Sequence, residues 1–396
     1  MKIVHIASHD TGGAGIAATR IHESQVSAGL NSTLLLRRKS SRKIENCESL
    51  EGQDDGFLER GASKIKNIID KRRPIYEDDD REYAVIRRLY CESLFKLHTL
   101  ELIKSADILH LHWVNRFLDQ KSFFKSVRQP IVWSFHDMNP FSGGYPYQGG
   151  LAPGQIQAAN RLLEYKKGIL RAANLNGVAT TKTFARLAAE FGLYEASKIS
   201  VIPYGLDTNV FKPHDKCFSR EVFGLPHSSK VLLFIAADVS MKRKGLEIVL
   251  SAQRSGALGD CLIAVVGSNF QQSDDVHNVV HLGEIHDTRL LSLAFSASDL
   301  LITPASEEAF GQTTIEAIAC GTPVVSYQTA GALDIISEGV NGIIASDFSH
   351  SSFVKAVKKA MTTDFDNQAI SEFARKEYSF ERQANRYREL YESLAN

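Results

Sequence analysis

Two carboxylates, Glu308 and Glu316, stand eight positions apart in "EEAFGQTTIEA", with Gly311, Thr313 and Thr314 between them. The run follows the apolar "DLLITPAS" and precedes "IACGTPVVSY", so a buried strand leads directly into a helix start. A helix N-terminus offers unpaired N–H groups and the positive end of a dipole, and a glycine lets backbone come close to a ligand. The amides from Phe310 through Gly311, Gln312 and Thr313 to Thr314 therefore suit a diphosphate. Glu316, one turn in, suits paired ribose hydroxyls. Glu308 suits sugar hydroxyls, or developing positive charge, at the other end of the diphosphate. Glu316 has a narrower reading too, because "TTIE" fits a capping box with Thr313 as the cap. That reading leaves Glu308 and Gly311 unexplained.

Other clusters have the right residue types. "MKRKG" places Lys242, Arg243 and Lys244 at a helix start. Cations there could stabilise negative charge on phosphate oxygens, and they also fit a solvated turn. "GGAG", Gly12 to Gly15 with Gly13 inside it, follows the first apolar run and fits a phosphate cradle, although such loops are common. His9 and Asp10 immediately before it could orient a second substrate. "FHDMNPFSGGYPY" sets His136 at a strand end among turn formers, and Gly267 ends another strand. His110 and His112 alternate in "HLHW". Histidines at i,i+2 can ligate a metal, but no third ligand is evident nearby in sequence, which favours core or cleft-lining roles. The five cysteines, Cys47, Cys91, Cys217, Cys261 and Cys320, lack CxxC spacing and read as reduced thiols; no metal site is expected from them.

Short apolar runs must position these groups. In the first half they are Lys2–Ala7, Ser32–Arg37, Asp107–Trp113, Pro130–Asp137 and Asn176–Thr181. In the second half they are Lys230–Ala237, Cys261–Gly267, Asn278–Gly283, Asp299–Ala305, Thr322–Gln328 and Asn341–Ala345. Near-continuous apolar strands alternating with helical stretches indicate parallel sheets covered on both faces. At 396 residues the chain is long enough for two such domains. The seam falls near "VIPYGLDTNVFKPHDK". Ligands bind beyond the carboxyl ends of strands in such sheets, so two facing sheets would enclose a central cleft.

Lys plus Arg equals Asp plus Glu at 46 each, so the overall charge gives no reason to expect a nucleic-acid partner. The N-terminus shows no signal-peptide h-region, and no run of eighteen apolar residues occurs, which predicts a cytoplasmic protein. Lys64, Lys66, Lys71, Arg72 and Arg73 surround Ile65, Ile68 and Ile69. This segment fits a solvated helix, or a basic amphipathic helix resting peripherally on the inner face of an anionic membrane.

"EEAFGQTTIEAIACGTPVV" resembles the Glu-x7-Glu signature of the retaining family-4 glycosyltransferases. The resemblance runs over nearly the whole chain. "VIPYGLDTNVFKP" is similar to the family's interdomain segment, "KRKGLEIVLSA" to its Lys-Gly helix start, and "VVHLGEIHDTRLLSLAFSASDLLITPA" to the stretch before the signature. "GGAG" is similar to its first glycine loop, "SFHD" to its strand-end histidine, and "YSFERQANRYRELY" to its terminal helix.

The resemblance implies an α/β GT-B fold, two doubly wound Rossmann-like domains facing a central cleft. The expected domains are an acceptor-binding domain over 1–204, a nucleotide-sugar-binding domain over 205–376, and a terminal helix over 377–396 crossing back to the first. The implied chemistry is transfer of a hexose from a nucleotide-diphosphate sugar to a saccharide or lipid-linked acceptor in bacterial surface polysaccharide synthesis. Anomeric configuration is retained, and neither a cofactor nor a metal is needed. Glu308, His136, Lys244 and Arg243 would be catalytic. Glu316, Phe310, Gly311, Gln312, Thr313, Gly13 and Gly267 would bind donor, and His9, Asp10 and Gly12 acceptor. The chain departs from the family at Val239, where an arginine is usual, and Arg243 could substitute for it. A non-hydrolysing nucleotide-sugar epimerase and a catalytically silent saccharide-binding relative are the alternatives.

Overall fold

The computed structural model describes residues 1–50, 79–147, 149–171, 173–271 and 275–395. The basic segment from Lys64 to Arg73 lies outside the described residues. The chain divides into two compact units. One comprises 1–180, 185–202 and 384–396, and the other 181–184 and 203–383.

The first unit is built on a seven-stranded sheet, in the order β3-β2-β1-β4-β5-β6-β7. Its strands are β1 (Lys2–His9), β2 (Asn31–Arg38), β3 (Cys47–Ser49), β4 (Ile108–Leu111), β5 (Ile131–Ser134), β6 (Leu175–Ala179) and β7 (Ile199–Val201). Every pairing is parallel. β4, β5 and β6 are buried along their whole length, which fits their largely apolar sequences, with His110, Ser134 and Asn176 the polar residues among them. The order reverses between β1 and β4, so the crevice beyond their carboxyl ends is where a ligand is expected.

The second unit has a six-stranded parallel sheet in the order β10-β9-β8-β11-β12-β13. Its strands are β8 (Val231–Asp238), β9 (Leu262–Ser268), β10 (Val279–His281), β11 (Leu300–Thr303), β12 (Val324–Ser326) and β13 (Gly342–Ile344). The reversal lies between β8 and β11. Leu232, Phe234, Val249, Ile263, Val265, Ile302, Val325 and Phe353 form its core against the helices Leu246–Arg254 and His350–Thr362.

Both sheets are of the doubly wound class, and all eleven strands read from the sequence are present. Two more, β3 and β7, are three-residue edge strands. All five cysteines are free thiols. Among the described residues, no helix is long and apolar enough to cross a membrane.

Candidate active site

In the second unit the chain leaves β8 into a single 3-10 turn, Lys242–Lys244, closed by Gly245 in the left-handed region (φ 78°). A β-carbon at Gly245 would lie 2.3 Å from the Pro304 carbonyl oxygen, so only glycine lets this turn close against the end of β11. The Ser306 amide donates to the Arg243 carbonyl at 3.0 Å and locks the two loops together. Lys244 Nζ is thereby delivered to Glu308 Oε2 at 2.6 Å, with Arg243 Nη1 3.8 Å from the same oxygen. Arg243 also donates to the Glu307 carbonyl. All three charged side chains are only about a quarter exposed, at 22–26%. Val239 is buried in the core beside Gly267 and offers no charge.

The loop continues through buried Ala309 and Phe310 into the helix Gln312–Ala319. Phe310 is wedged edge-on against Tyr204 at 4.9 Å. The capping box read from "TTIE" is not formed, because the cap residue is Gly311 (φ 89°), with no side-chain cap hydrogen bond. The start has shifted two residues upstream, which puts Glu316 in the second turn rather than at the third helical position that the motif needs. Several other helices of this unit begin on Asp215, Asp287, Thr329, Ser349 or Asp366, whose side chains accept from first-turn amides. The helices after Gly245 and Gly311 have no such side-chain cap, and both lead from the strand ends where the sheet order reverses. Glu316 is buried. Gly267 sits at the end of β9, where a β-carbon would lie 1.8 Å from the Ala236 carbonyl oxygen. That close approach accounts for the glycine by packing alone.

In the first unit, β1 runs into His9, Asp10 and the glycine loop, which forms the start of the helix Gly12–Ser27. Gly12 has φ 71°, and a β-carbon on Gly15 would meet the His9 carbonyl oxygen at 2.6 Å. Asp10 is buried and accepts from both the amide (3.0 Å) and the hydroxyl (2.6 Å) of Ser40. Its carboxylate pins the loop that follows β2. His136 lies just past β5, ahead of a turn-rich loop held from beneath by buried Lys166, which donates to the carbonyls of Asn139 and Ser142. Burial lowers the Lys166 pKa.

The sequence reading missed what lies behind His136. β1 and β4 pair so that His5 and His110 are register partners, with His112 two residues on. Ligand atoms of these three histidines lie within 4.8 Å of one another, so the third histidine does exist, 105 positions upstream of His110. Their ring nitrogens are engaged in hydrogen bonds instead. His5 Nδ1 meets His112 Nε2, His112 Nδ1 meets His136 Nε2, and His5 Nε2 meets Gln25 Oε1, each at 2.9 Å. His110 bridges the Tyr391 hydroxyl (2.6 Å) and Ser134 Oγ (2.8 Å). Desolvation pushes His5 and His136 down to about 3 and keeps His110 and His112 well below the usual imidazole value. These rings are neutral at physiological pH. As a neutral ring, His136 is suited to hydrogen bonding rather than to carrying charge.

Residues 215–377 match the family described as "Glycosyl transferases group 1". The chain is 26% identical over 297 residues to D-inositol 3-phosphate glycosyltransferase 2 of Catenulispora acidiphila, a match spanning 68% of this chain and 67% of that protein. It is 28% identical over 190 residues to D-inositol 3-phosphate glycosyltransferase of Segniliparus rotundus, which spans 45% of this chain and only 42% of that protein. Among solved structures, sucrose-phosphate synthase from Thermosynechococcus elongatus superposes with a TM-score of 0.72 at 17% identity, covering 100% of this chain and 99% of that one. Anabaena HepE in complex with UDP-glucose superposes with a TM-score of 0.66 at 16% identity, covering 99% and 100%. The chain thus has the GT-B fold of these solved structures, and its residues 215–377 match the group 1 glycosyltransferase family.

Proposed function

We propose that the protein is a retaining glycosyltransferase that moves a hexose from a nucleotide-diphosphate sugar, with UDP-glucose as the first candidate, to a saccharide or lipid-linked saccharide hydroxyl in bacterial surface polysaccharide synthesis. The observation that carries this reading is the Lys244–Glu308 pair beside a helix started by Gly311, at the strand ends where the second sheet reverses order. Lys244 and Arg243 would meet the diphosphate together with the amides of Gln312 and Thr313. Glu308 would take sugar hydroxyls and Glu316 the ribose, with Phe310, Gly311 and Gly267 shaping the backbone. The UDP-glucose bound to the Anabaena structure supports the choice of donor.

In the proposed reaction the acceptor oxygen attacks the anomeric carbon from the leaving-group face. The bond from that carbon to the diphosphate oxygen breaks, and a phosphate oxygen takes the hydroxyl proton. Charge on the departing diphosphate is stabilised by cations and amides, so no metal is required. His136 would hydrogen-bond the donor sugar, Gly13 would approach donor phosphate, and His9, Asp10 and Gly12 would contact acceptor. The domain roles would follow, with acceptor on residues 1–204, donor on 205–376, and the terminal helix of 377–396 crossing back to the first domain. A lipid-linked acceptor would place the enzyme at the inner membrane surface.

The test is incubation with UDP-, GDP- and ADP-sugars, with and without saccharide acceptors, in EDTA. Acceptor-dependent release of nucleoside diphosphate, with the product anomer matching the donor by NMR, supports the reading. A changed nucleotide-sugar formed without acceptor would establish an epimerase. Saccharide binding with no turnover would establish a silent relative.

A further inference from the structure

The geometry points to a buried hydrogen-bond relay that dictates the tautomer of His136 from Gln25, leaving His136 protonated on Nε2 and an acceptor at Nδ1. Eight groups form one unbroken line through the first unit: His136, His112, His5, Gln25, Tyr391, His110, Ser134 and Tyr387. Seven hydrogen bonds of 2.6–3.0 Å join them. Apart from His136, which is partly exposed, each is buried. They come from β1, β4, β5 and two helices. Gln25 lies on Gly12–Ser27, and Tyr387 and Tyr391, four apart on one face, lie on Phe380–Ala395.

The polarity follows from donor counting. Gln25 turns its carbonyl oxygen to His5 Nε2, and a carbonyl can only accept, so His5 carries its proton there. A neutral imidazole has one N–H, which leaves a lone pair on His5 Nδ1 and requires the N–H of His112 to be on Nε2. The lone pair on His112 Nδ1 in turn requires the N–H of His136 to be on Nε2. In the other direction the Gln25 amide donates to the Tyr391 hydroxyl, which then donates to His110 Nδ1. His110 Nε2 donates to Ser134, and Ser134 to Tyr387. Each of the seven bonds has one donor and one acceptor in this arrangement. Only one other is equally satisfied, the one reached by turning the Gln25 amide over, and it reverses all seven bonds together. With the Gln25 amide oriented as it stands, any partner of His136 Nδ1 is a donor, an N–H or a hydroxyl, and not a phosphate oxygen.

A metal held by His5, His110 and His112 is the competing use of the same residues. It would have to break the His5–His112, His5–Gln25, His110–Tyr391, His110–Ser134 or His112–His136 bonds to obtain its ligands.

The assignment can be read in the ligand-free protein, so it stands or falls apart from the sugar chemistry proposed above. Multiple-bond 1H–15N correlation of the 15N-histidine-labelled protein at neutral pH should show Nδ1 unprotonated at His5, His112 and His136. A protonated Nδ1 at His136 in the wild type overturns the proposal. Gln25→Leu should move His136 Nδ1 toward the protonated range through tautomer mixing, an effect that lost packing alone would not produce. Tyr391→Phe, which removes the acceptor that orients the Gln25 amide, is the second variant should the first fail to fold. An unchanged His136 tautomer in a folded variant of either kind also overturns it. A zinc titration that displaces the His5, His110 and His112 shifts stoichiometrically would assign the cluster to metal instead.

Discussion

Lys244 Nζ donates to Glu308 Oε2 at 2.6 Å across two loops 64 residues apart in sequence. The cation assigned to the leaving group and the carboxylate assigned to the sugar thus hold each other. A pair still about a quarter open to solvent contributes on the order of 1 kcal/mol to stability. Its value is positional, because each group is already aimed when a ligand arrives.

Lys244→Ala should therefore lower turnover by roughly 100- to 1,000-fold, the usual loss when one group stabilising developing charge is removed. The melting temperature should move little. Arg243→Ala should give a similar loss, since Val239 cannot supply the missing charge. Steady-state kinetics beside a thermal melt separates the two effects, and wild-type turnover in both variants would remove the leaving-group assignment.

Glu316→Gln should weaken donor binding more than it slows chemistry. Hydrogen bonds to a charged acceptor contribute about 1.5–3 kcal/mol, or roughly a 10- to 150-fold rise in KM for the donor. Protection against thermal unfolding by the free nucleoside diphosphate should fall in parallel. Unaltered protection would place the ribose elsewhere.

Gly245→Ala should destabilise the second unit by about 1–3 kcal/mol and reduce activity as well. The new β-carbon has a strained positive φ and a carbonyl oxygen 2.3 Å away. Gly256→Ala is the control for strain alone, because it also has positive φ but nothing within 4 Å of its β-carbon. Equal activity losses in the two would show that the approach to Pro304 does not position Lys244.

Stability should depend steeply on pH below neutrality. His5 and His136 fall to about 3 when folded, and His22, His110 and His112 are lowered too. The unfolded chain then binds more protons than the native one between about pH 6.5 and pH 3, so stability rises with pH across that window and is complete above it. Each such histidine contributes a slope of about 1.4 kcal/mol per pH unit. Urea unfolding at intervals from pH 7.5 to 5 should reveal uptake of more than two protons. Uptake of one or none would mean that the cluster is not neutral and buried.

The doubly wound architecture was legible because buried parallel strands are written as continuous apolar runs. β3 escaped because "CES" is polar and has no buried residue, whereas the equally short edge strands β10 and β13 carry the apolar runs "VVH" and "GII". The helix opened at Gly311 rather than Thr313, since glycine can turn the backbone sharply out of the strand where a threonine cap cannot, and local motif spacing does not encode that. The partner of His110 and His112 was hidden for a different reason. Sheet register, not sequence proximity, brings His5 alongside them. A histidine in β1 matched by alternating histidines in "HLHW" is the signal that could have found it.

The bond between Gln25 and Tyr391 spans 366 residues, and that separation sets an order of events during synthesis. At roughly 5–20 residues per second, translation needs on the order of 20–70 s to travel from one to the other. Throughout that interval the imidazoles of β1 and β4 await the tyrosines, which are made only after nearly all of 203–383. The first unit therefore closes its polar centre late, after most of the second unit has been translated.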